Sequence, residues 1–213
     1  MEDKILNEQI EYYRARAEEY DRSLSGTEEI FDPAKSILLG LGRYKRILEL
    51  ACGTGFWTET LLKISGEVTA TDSAPEMLQI TRNRLGDKGV TYQQIDIFNW
   101  QPEQQYDMVF FANWLSHVPP KALDEFLDKV HRSTRPGGSV IIVDQYAPSV
   151  ADSVIAKEEI YAVRPLEDGR QFTIVKVFHD LDTLEDKLKG MGFDVAIHKF
   201  TETFFLLSGK SKT

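Results

Sequence analysis

The chain has 213 residues, 42% of them hydrophobic and 28% charged, enough to bury the core of one α/β domain, read as a single unit over residues 1–213. Its formal charge of −9 argues against a nucleic-acid partner, because phosphates are met chiefly by basic residues. No stretch approaches the roughly 20 apolar residues of a membrane span. The lone cysteine, Cys52, excludes an internal disulfide and fits a reducing, cytoplasmic setting.

The opening segment MEDKILNEQIEYYRARAEEY is acidic and lacks the apolar core of a signal peptide. It sets Leu6, Ile10, Tyr13, Ala17 and Tyr20 at helical spacing, and residues 1–45 are expected to form a helical cover. Asp32-Pro33 then opens a short helix, with the carboxylate as its cap. In ILELACGTGFW an apolar run enters a glycine loop and an amphipathic segment follows, predicting a strand over 46–50 and a helix over 56–64. A second strand is predicted over 67–71. Ser73-Ala74-Pro75-Glu76 reads as a capping box before a helix.

Strands over 90–94 and 106–111 follow, then a helix whose buried face is Leu123, Phe126, Leu127 and Val130. It stops at Pro136-Gly137-Gly138, ahead of a fifth strand over 139–144. Strands alternating with helices predict a parallel sheet with right-handed crossovers. Beyond Asp144 the pattern changes. Residues 145–160 read as loosely helical, and 161–178 as a hairpin turning at Glu167-Asp168-Gly169. Residues 145–180 are therefore expected to form a substrate lid. A helix aligning Leu184, Leu188 and Met191 precedes two last strands, over 193–199 and 203–208, expected as a hairpin at the sheet edge.

The glycine loop narrows the chemistry. Thr58 stands where a dinucleotide fingerprint wants its third glycine, which weakens a nicotinamide reading. No Gly-Lys-Ser/Thr follows, so it is not a phosphate-cradling P-loop either. Asp72, closing the second strand, sits at the distance of an acid that grips ribose hydroxyls.

Five segments in order, LELACGTG, TATDSAPEML, QQIDIF, YDMVFFANWLSHVPP and STRPGGSVIIVD, resemble the successive motifs of the class I, Rossmann-like S-adenosylmethionine (SAM)-dependent methyltransferases. The resemblance covers roughly residues 10–145. It implies a seven-stranded, mostly parallel sheet with helices on both faces and an antiparallel last strand. It also implies residue roles. Glu49, Ala51 and the Gly53-Thr54-Gly55 backbone would face the methionyl part of SAM, with Glu49 towards its ammonium. Asp72, with Ser73 beside it, would accept the ribose hydroxyls. Met77 and Ile97 would flank adenine, and Asp96 would accept from its exocyclic amine. Ala112 and Asn113 would lie beside the sulfonium. YYRARAEEYD resembles the family's cofactor-covering helix, in which Tyr13, Arg16 or Tyr20 would hold the SAM carboxylate. Met77 could instead be core, and Tyr20 a helix-face anchor.

Methyl transfer asks the protein mainly to align acceptor and methyl. His117, just after the fourth strand, is the expected general base, with a helix-capping role as its rival. Trp114 would offer its face to the sulfonium or the substrate, or pack. Arg164, Arg170 and Lys176 on the hairpin could meet an anionic acceptor, or serve solubility and edge protection. Ala112-Asn113-Trp114-Leu115 differs from the signature of enzymes that methylate nucleic-acid bases, which favours a small organic acceptor modified at oxygen or nitrogen. The alternatives are an RNA or protein methyltransferase, or a SAM-binding module without catalysis. Phe172 and Ile174 alternate with Thr173, Val175 and Val177, so that strand packs on the body or on a second copy in a homodimer. The four histidines are scattered and no metal is expected.

Overall fold

The computed structural model describes residues 2–24, 26, 28–148 and 160–212. Of the expected helical stretch over 145–160, residues 149–159 lie outside them, and the described ones are not helical: Gln145 ends a strand and 146–147 form a bend. Helix α1 (Glu2–Leu24) precedes α2 (Asp32–Gly40), and the alternation then runs β1 (Tyr44–Leu50), α3 (Phe56–Ile64), β2 (Ser65–Asp72), α4 (Pro75–Leu85), β3 (Val90–Gln94) and β4 (Tyr106–Ala112). Next come α5 (Leu123–Ser133), β5 (Thr134–Gln145), the hairpin β6 (Tyr161–Pro165) and β7 (Gln171–Val175), then α6 (Leu181–Gly190), β8 (Phe193–Lys199) and β9 (Phe204–Ser211).

Seven strands form one sheet in the order β3-β2-β1-β4-β5-β9-β8. The first five are parallel; β9 runs antiparallel to both β5 and β8. The last two strands pair with each other as the expected hairpin at the sheet edge, with the later one on the inside. The final strand inserts beside β5, pairing Ser139 to Gln145 with Lys210 to Phe204, and leaves β8 outermost. Gly209 permits this approach: a Cβ there would lie 2.7 Å from Val140 Cγ1.

Two apolar layers hold the sheet. On one face Leu123, Phe126, Leu127 and Val130 of α5 join Leu184 and Leu188 of α6 against Leu48, Leu50, Val109 and Phe111. On the other, Ala34 and Leu38 of α2 and Trp57, Leu61 and Ile64 of α3 cover Ile47, Val68, Met108 and Phe110. Each such fully buried large side chain contributes about 1.5–3 kcal/mol.

Two expected caps are corrected. The N-cap of α2 is Phe31, without a side-chain bond, and Asp32 lies inside the first turn, 3.5 Å from Lys35. The N-cap of α4 is Ala74, because Pro75 takes the first helical position; its N–H goes to Asp72 Oδ1 at 2.9 Å, not to Ser73. Glu76, the other half of the expected box, instead receives both Nε and Nη2 of Arg14.

Helix α1 lies across the carboxyl ends of the strands and onto the hairpin. Tyr12 packs with Ala162, Leu166 and Ile174, while Ala17 with Tyr13 and Tyr20 packs on Ala74 and Met77. The apolar hairpin strand thus meets α1 of its own chain. Thr173 N–H donates to Glu8 Oε1 (2.6 Å) and Val175 N–H to Gln9 Oε1 (3.0 Å), so α1 satisfies part of the free edge of β7. Among the described residues no helix is long and apolar enough to cross a membrane.

Candidate active site

Strand order reverses at β1, which is flanked by β2 and β4. In open α/β sheets ligands bind outside the carboxyl ends of the strands at such a switch point. Two residues there, Ala51 after β1 and Asn113 after β4, hold left-handed backbones at φ 53° and 52°, a strain non-glycine residues carry at about 1–3 kcal/mol each. The turn between β1 and α3 needs its glycines. Gly55, at φ 86°, is the N-cap of α3, and a Cβ there would meet Thr81 Cγ2 at 2.7 Å.

Asp72 closes the turn from below. Its Oδ2 accepts the Gly53 N–H at 2.9 Å and its Oδ1 the Ala74 N–H at 2.9 Å. Burial pushes its pKa up to about 6, against the pull of the Ala74, Gly53 and Ser73 N–H groups. With the N–H groups of Gly53, Ala74 and Ser73 directed at it, a carboxylate of about four lone-pair sites still has acceptor capacity to spare. Glu49 lies deeper, 2% exposed, and accepts from Thr58 Oγ1 at 2.6 Å. Burial raises its pKa to about 8; the Thr58 hydroxyl opposes this and the nearby Asp72 adds to it.

A narrow cavity opens at this edge. It is lined by Tyr13 and Tyr20 from α1, Ala51 and Gly53 from the turn, Asp72, Ser73 and Met77, Asp96 to Phe98, and Ala112, Asn113, Trp114 and His117. Of the residues expected at the cofactor, the walls thus include Tyr13, Tyr20, Ala51, Gly53, Asp72, Ser73, Met77, Asp96, Ile97, Ala112 and Asn113. Glu49, Thr54 and Gly55 stand behind them. The Thr54 hydroxyl donates to Asp21 Oδ1 (2.5 Å), which also pairs with Arg84 and so ties α1 to the turn. Ile10 and Phe98 are additional lining residues: Phe98 closes the QQIDIF motif and Ile10 lies on the apolar stripe of α1, but neither is among the residues expected at the cofactor.

A second, larger cavity of about 810 Å³ lies between α1, the loop after β4 and the hairpin. Arg16, Arg164 and Lys176 line it, with Tyr12, Ser116 and Gln145 among their neighbours. Lys176 is 6% exposed and donates to Ser116 Oγ (3.3 Å) and to Gln145 Oε1. Arg16 donates to Tyr12 Oη at 2.8 Å and lies over the Tyr20 ring at 5.1 Å. Arg170 takes no part; it pairs with Asp168 at 2.7 Å on the exposed hairpin turn. Tyr13, Tyr20, Asn113 and His117 line both cavities.

His117 is buried at their junction. Its Nδ1 lies 2.7 Å from the Val175 carbonyl, which can only accept, so Nδ1 carries the proton. Nε2 is then the acceptor for Tyr13 Oη at 2.8 Å. Burial lowers its pKa to about 3, helped by the positive charges of Lys176, Arg164 and Arg16. Trp114 stacks at a tilt on Phe98, 5.5 Å between centroids, and its buried Nε1–H has no partner among the described residues.

The stretch 47–138 matches the family model for a methyltransferase domain. The chain is 29% identical over 187 residues to the ubiquinone/menaquinone biosynthesis C-methyltransferase UbiE of Azotobacter vinelandii (strain DJ / ATCC BAA-1303), spanning 77% of this chain and 72% of that one. Its backbone superposes on the solved DhpI–SAH complex with a TM-score of 0.85 and 35% identity, over 98% of this chain and 97% of the other. The chain is a class I SAM-dependent methyltransferase. The 1,6-didemethyltoxoflavin-N1-methyltransferase of Burkholderia thailandensis, 18% identical with a TM-score of 0.66 over 97% of this chain and 88% of that one, shares the fold.

SAM is the methyl donor of this methyltransferase, and the narrow cavity is chemically suited to it. A Cβ on Gly53 would meet nothing within 4 Å, so the turn presents a bare backbone face to the cavity. Asp72 has acceptor capacity left for a diol, and Trp114 holds an orphaned donor at the same wall.

Proposed function

We propose that this methyltransferase modifies an oxygen or nitrogen of a small organic molecule, and that the acceptor enters the larger cavity as an anion. The observation that carries this reading is the shared wall of Tyr13, Tyr20, Asn113 and His117, across which a methyl group would pass from one cavity to the other. In the first cavity Asp72 would clasp the ribose diol, Met77 and Ile97 would flank adenine, Asp96 would accept from its amine, and Ala112 and Asn113 would border the sulfonium. When bound, SAM supplies a sulfonium-activated methyl, which passes to the acceptor's lone pair as the carbon–sulfur pair returns to sulfur.

Anionic character is supported by Arg16, Arg22, Arg164 and Lys176, which outnumber the two acids, Glu19 and Glu167, that line the same cavity. Cations at that range favour the ionised form of an acid. An ionised oxygen attacks without first losing a proton, so alignment by the walls, capable of about 7–11 kcal/mol of the barrier, is the main demand on the protein. Among relatives, the DhpI–SAM–HEP complex, 35% identical with a TM-score of 0.85, names a second partner beside SAM for that protein.

The test is release of S-adenosylhomocysteine (SAH) with a panel of carboxylic acids, phosphonates, phosphate monoesters, neutral alcohols, amines, RNA and protein. Turnover concentrated among the oxyacids supports the reading. Turnover of neutral amines or alcohols alone overturns the anionic acceptor, and turnover of RNA or protein alone overturns the small-molecule acceptor.

A further inference from the structure

His117 uses every polar group it has on the protein itself. Its backbone N–H donates to the Trp114 carbonyl at 2.8 Å and its carbonyl accepts from Gln9 Nε2 at 3.5 Å. Its Nδ1–H reaches β7 at Val175, and its Nε2 receives the Tyr13 hydroxyl from α1. Val175 in turn donates its N–H to Gln9 Oε1, so α1, the loop after β4 and the hairpin close into a ring of hydrogen bonds through this one residue. The Tyr13 ring meets the imidazole edge-on at 5.5 Å. Beside the ring, Val177 N–H donates to the Ser116 carbonyl and Lys176 Nζ to its hydroxyl, joining hairpin and loop a second time.

We infer that His117 is a positioning residue that docks α1 and the hairpin around the acceptor, acting through Tyr13, and not the base that deprotonates it. Both ring nitrogens are committed to the protein, so Nε2 takes a proton from an acceptor only if the bond from Tyr13 is first broken or reversed. The charges facing the ring from the packed elements are Arg16 on α1, Arg164 on β6 and Lys176 just after β7, all hostile to an imidazolium. This inference rests on the methyl-transfer reading only for its kinetic arm.

Gln separates the two roles, because its amide oxygen accepts a hydrogen bond at the reach of Nε2 yet takes no proton near neutral pH. His117→Ala, His117→Gln and Tyr13→Phe are compared by SAH calorimetry, by amide exchange across residues 2–24 in the SAH complex, and by kcat and KM against pH with a turned-over acceptor. His117→Ala and Tyr13→Phe are expected to raise acceptor KM about tenfold and to speed exchange in α1, as loss of a buried hydrogen bond does. Tyr13→Phe combined with His117→Ala is no worse than His117→Ala alone, because both remove the same bond. His117→Gln restores the bond from Tyr13 but not the one to Val175, so it recovers part of the loss and leaves the shape of the pH profile as in the parent.

A kcat loss of about 10²–10⁴-fold in both His117→Ala and His117→Gln, with one limb of the pH profile gone and α1 protection intact, overturns the inference in favour of a base or a Tyr13–His117 proton relay. If every acceptor tried is inert, the exchange arm still decides. Unchanged protection of α1 in His117→Ala refutes docking by this residue.

Discussion

Glu49→Gln offers a sharp test of the electrostatics beneath the glycine turn. Glu49 is 2% exposed, with one hydroxyl donor and the Asp72 carboxylate nearby, and its pKa stands at about 8 against 4.5 for the exposed group. An acid whose pKa is raised by folding stabilises fully below its unfolded value and loses that contribution as pH climbs to the folded one. At pH 7 the folded chain retains the proton that the unfolded chain has released. The gap of 2.5 units above 4.5, at about 1.36 kcal/mol per unit, amounts to ~3 kcal/mol of lost stability. Glutamine carries no such penalty, and its amide oxygen still accepts from Thr58. Any packing cost of the extra N–H₂ is the same at every pH.

The measurement is urea unfolding of both ligand-free proteins from pH 4.5 to 8. The variant is expected to gain on the parent steadily across that window, by up to ~3 kcal/mol at neutral pH. Parallel stability curves would show that Glu49 is ionised in the fold and refute the reasoning.

Asp72→Asn trades one accepting oxygen for a donor that faces the N–H of Gly53 or Ala74; SAH affinity by calorimetry is expected to fall about tenfold or more, with the cooperative unfolding transition retained. Undiminished affinity would remove Asp72 from the ribose site. Lys176→Met keeps the buried aliphatic stem and deletes the charge; it is expected to raise KM for an oxyacid at least tenfold and leave SAH affinity within about twofold. Equal loss of both would place Lys176 in the fold and not at the acceptor. Gly55→Ala forces a Cβ against Thr81 in a left-handed backbone and is expected to lower stability by about 1–3 kcal/mol in the same urea assay. A neutral result would mean that the turn relaxes freely.

Much of the site is written in local sequence. The run ILELACGTGFW specifies a strand, a turn with left-handed positions and a helix start, because apolar alternation, glycine and helical spacing each act over a few residues. Asp72 is legible for the same reason: it ends β2, and its register beside β1 carries it to the turn. The expected caps at Asp32 and Ser73 go astray where a neighbour outcompetes them, a preceding 3-10 turn in one case and the Asp72 carboxylate in the other.

The acceptor side belongs to the tertiary structure. Arg164 and Arg170 share one hairpin and read alike as cations, yet strand pairing sets Arg164 opposite Phe172 at the cavity while the turn pairs Arg170 with Asp168. Tyr13, His117 and Val175 come from three elements far apart in the chain, and nothing in their own segments specifies that the imidazole bonds both others. The placement of β9 between β5 and β8 is of the same kind, since any apolar strand could have taken the edge. Sequence alone determined the turn and its acid, which one strand–helix–strand unit brings together across 19 residues. Only packing of α1 and the hairpin over the sheet decided which distant side chains meet across the shared wall.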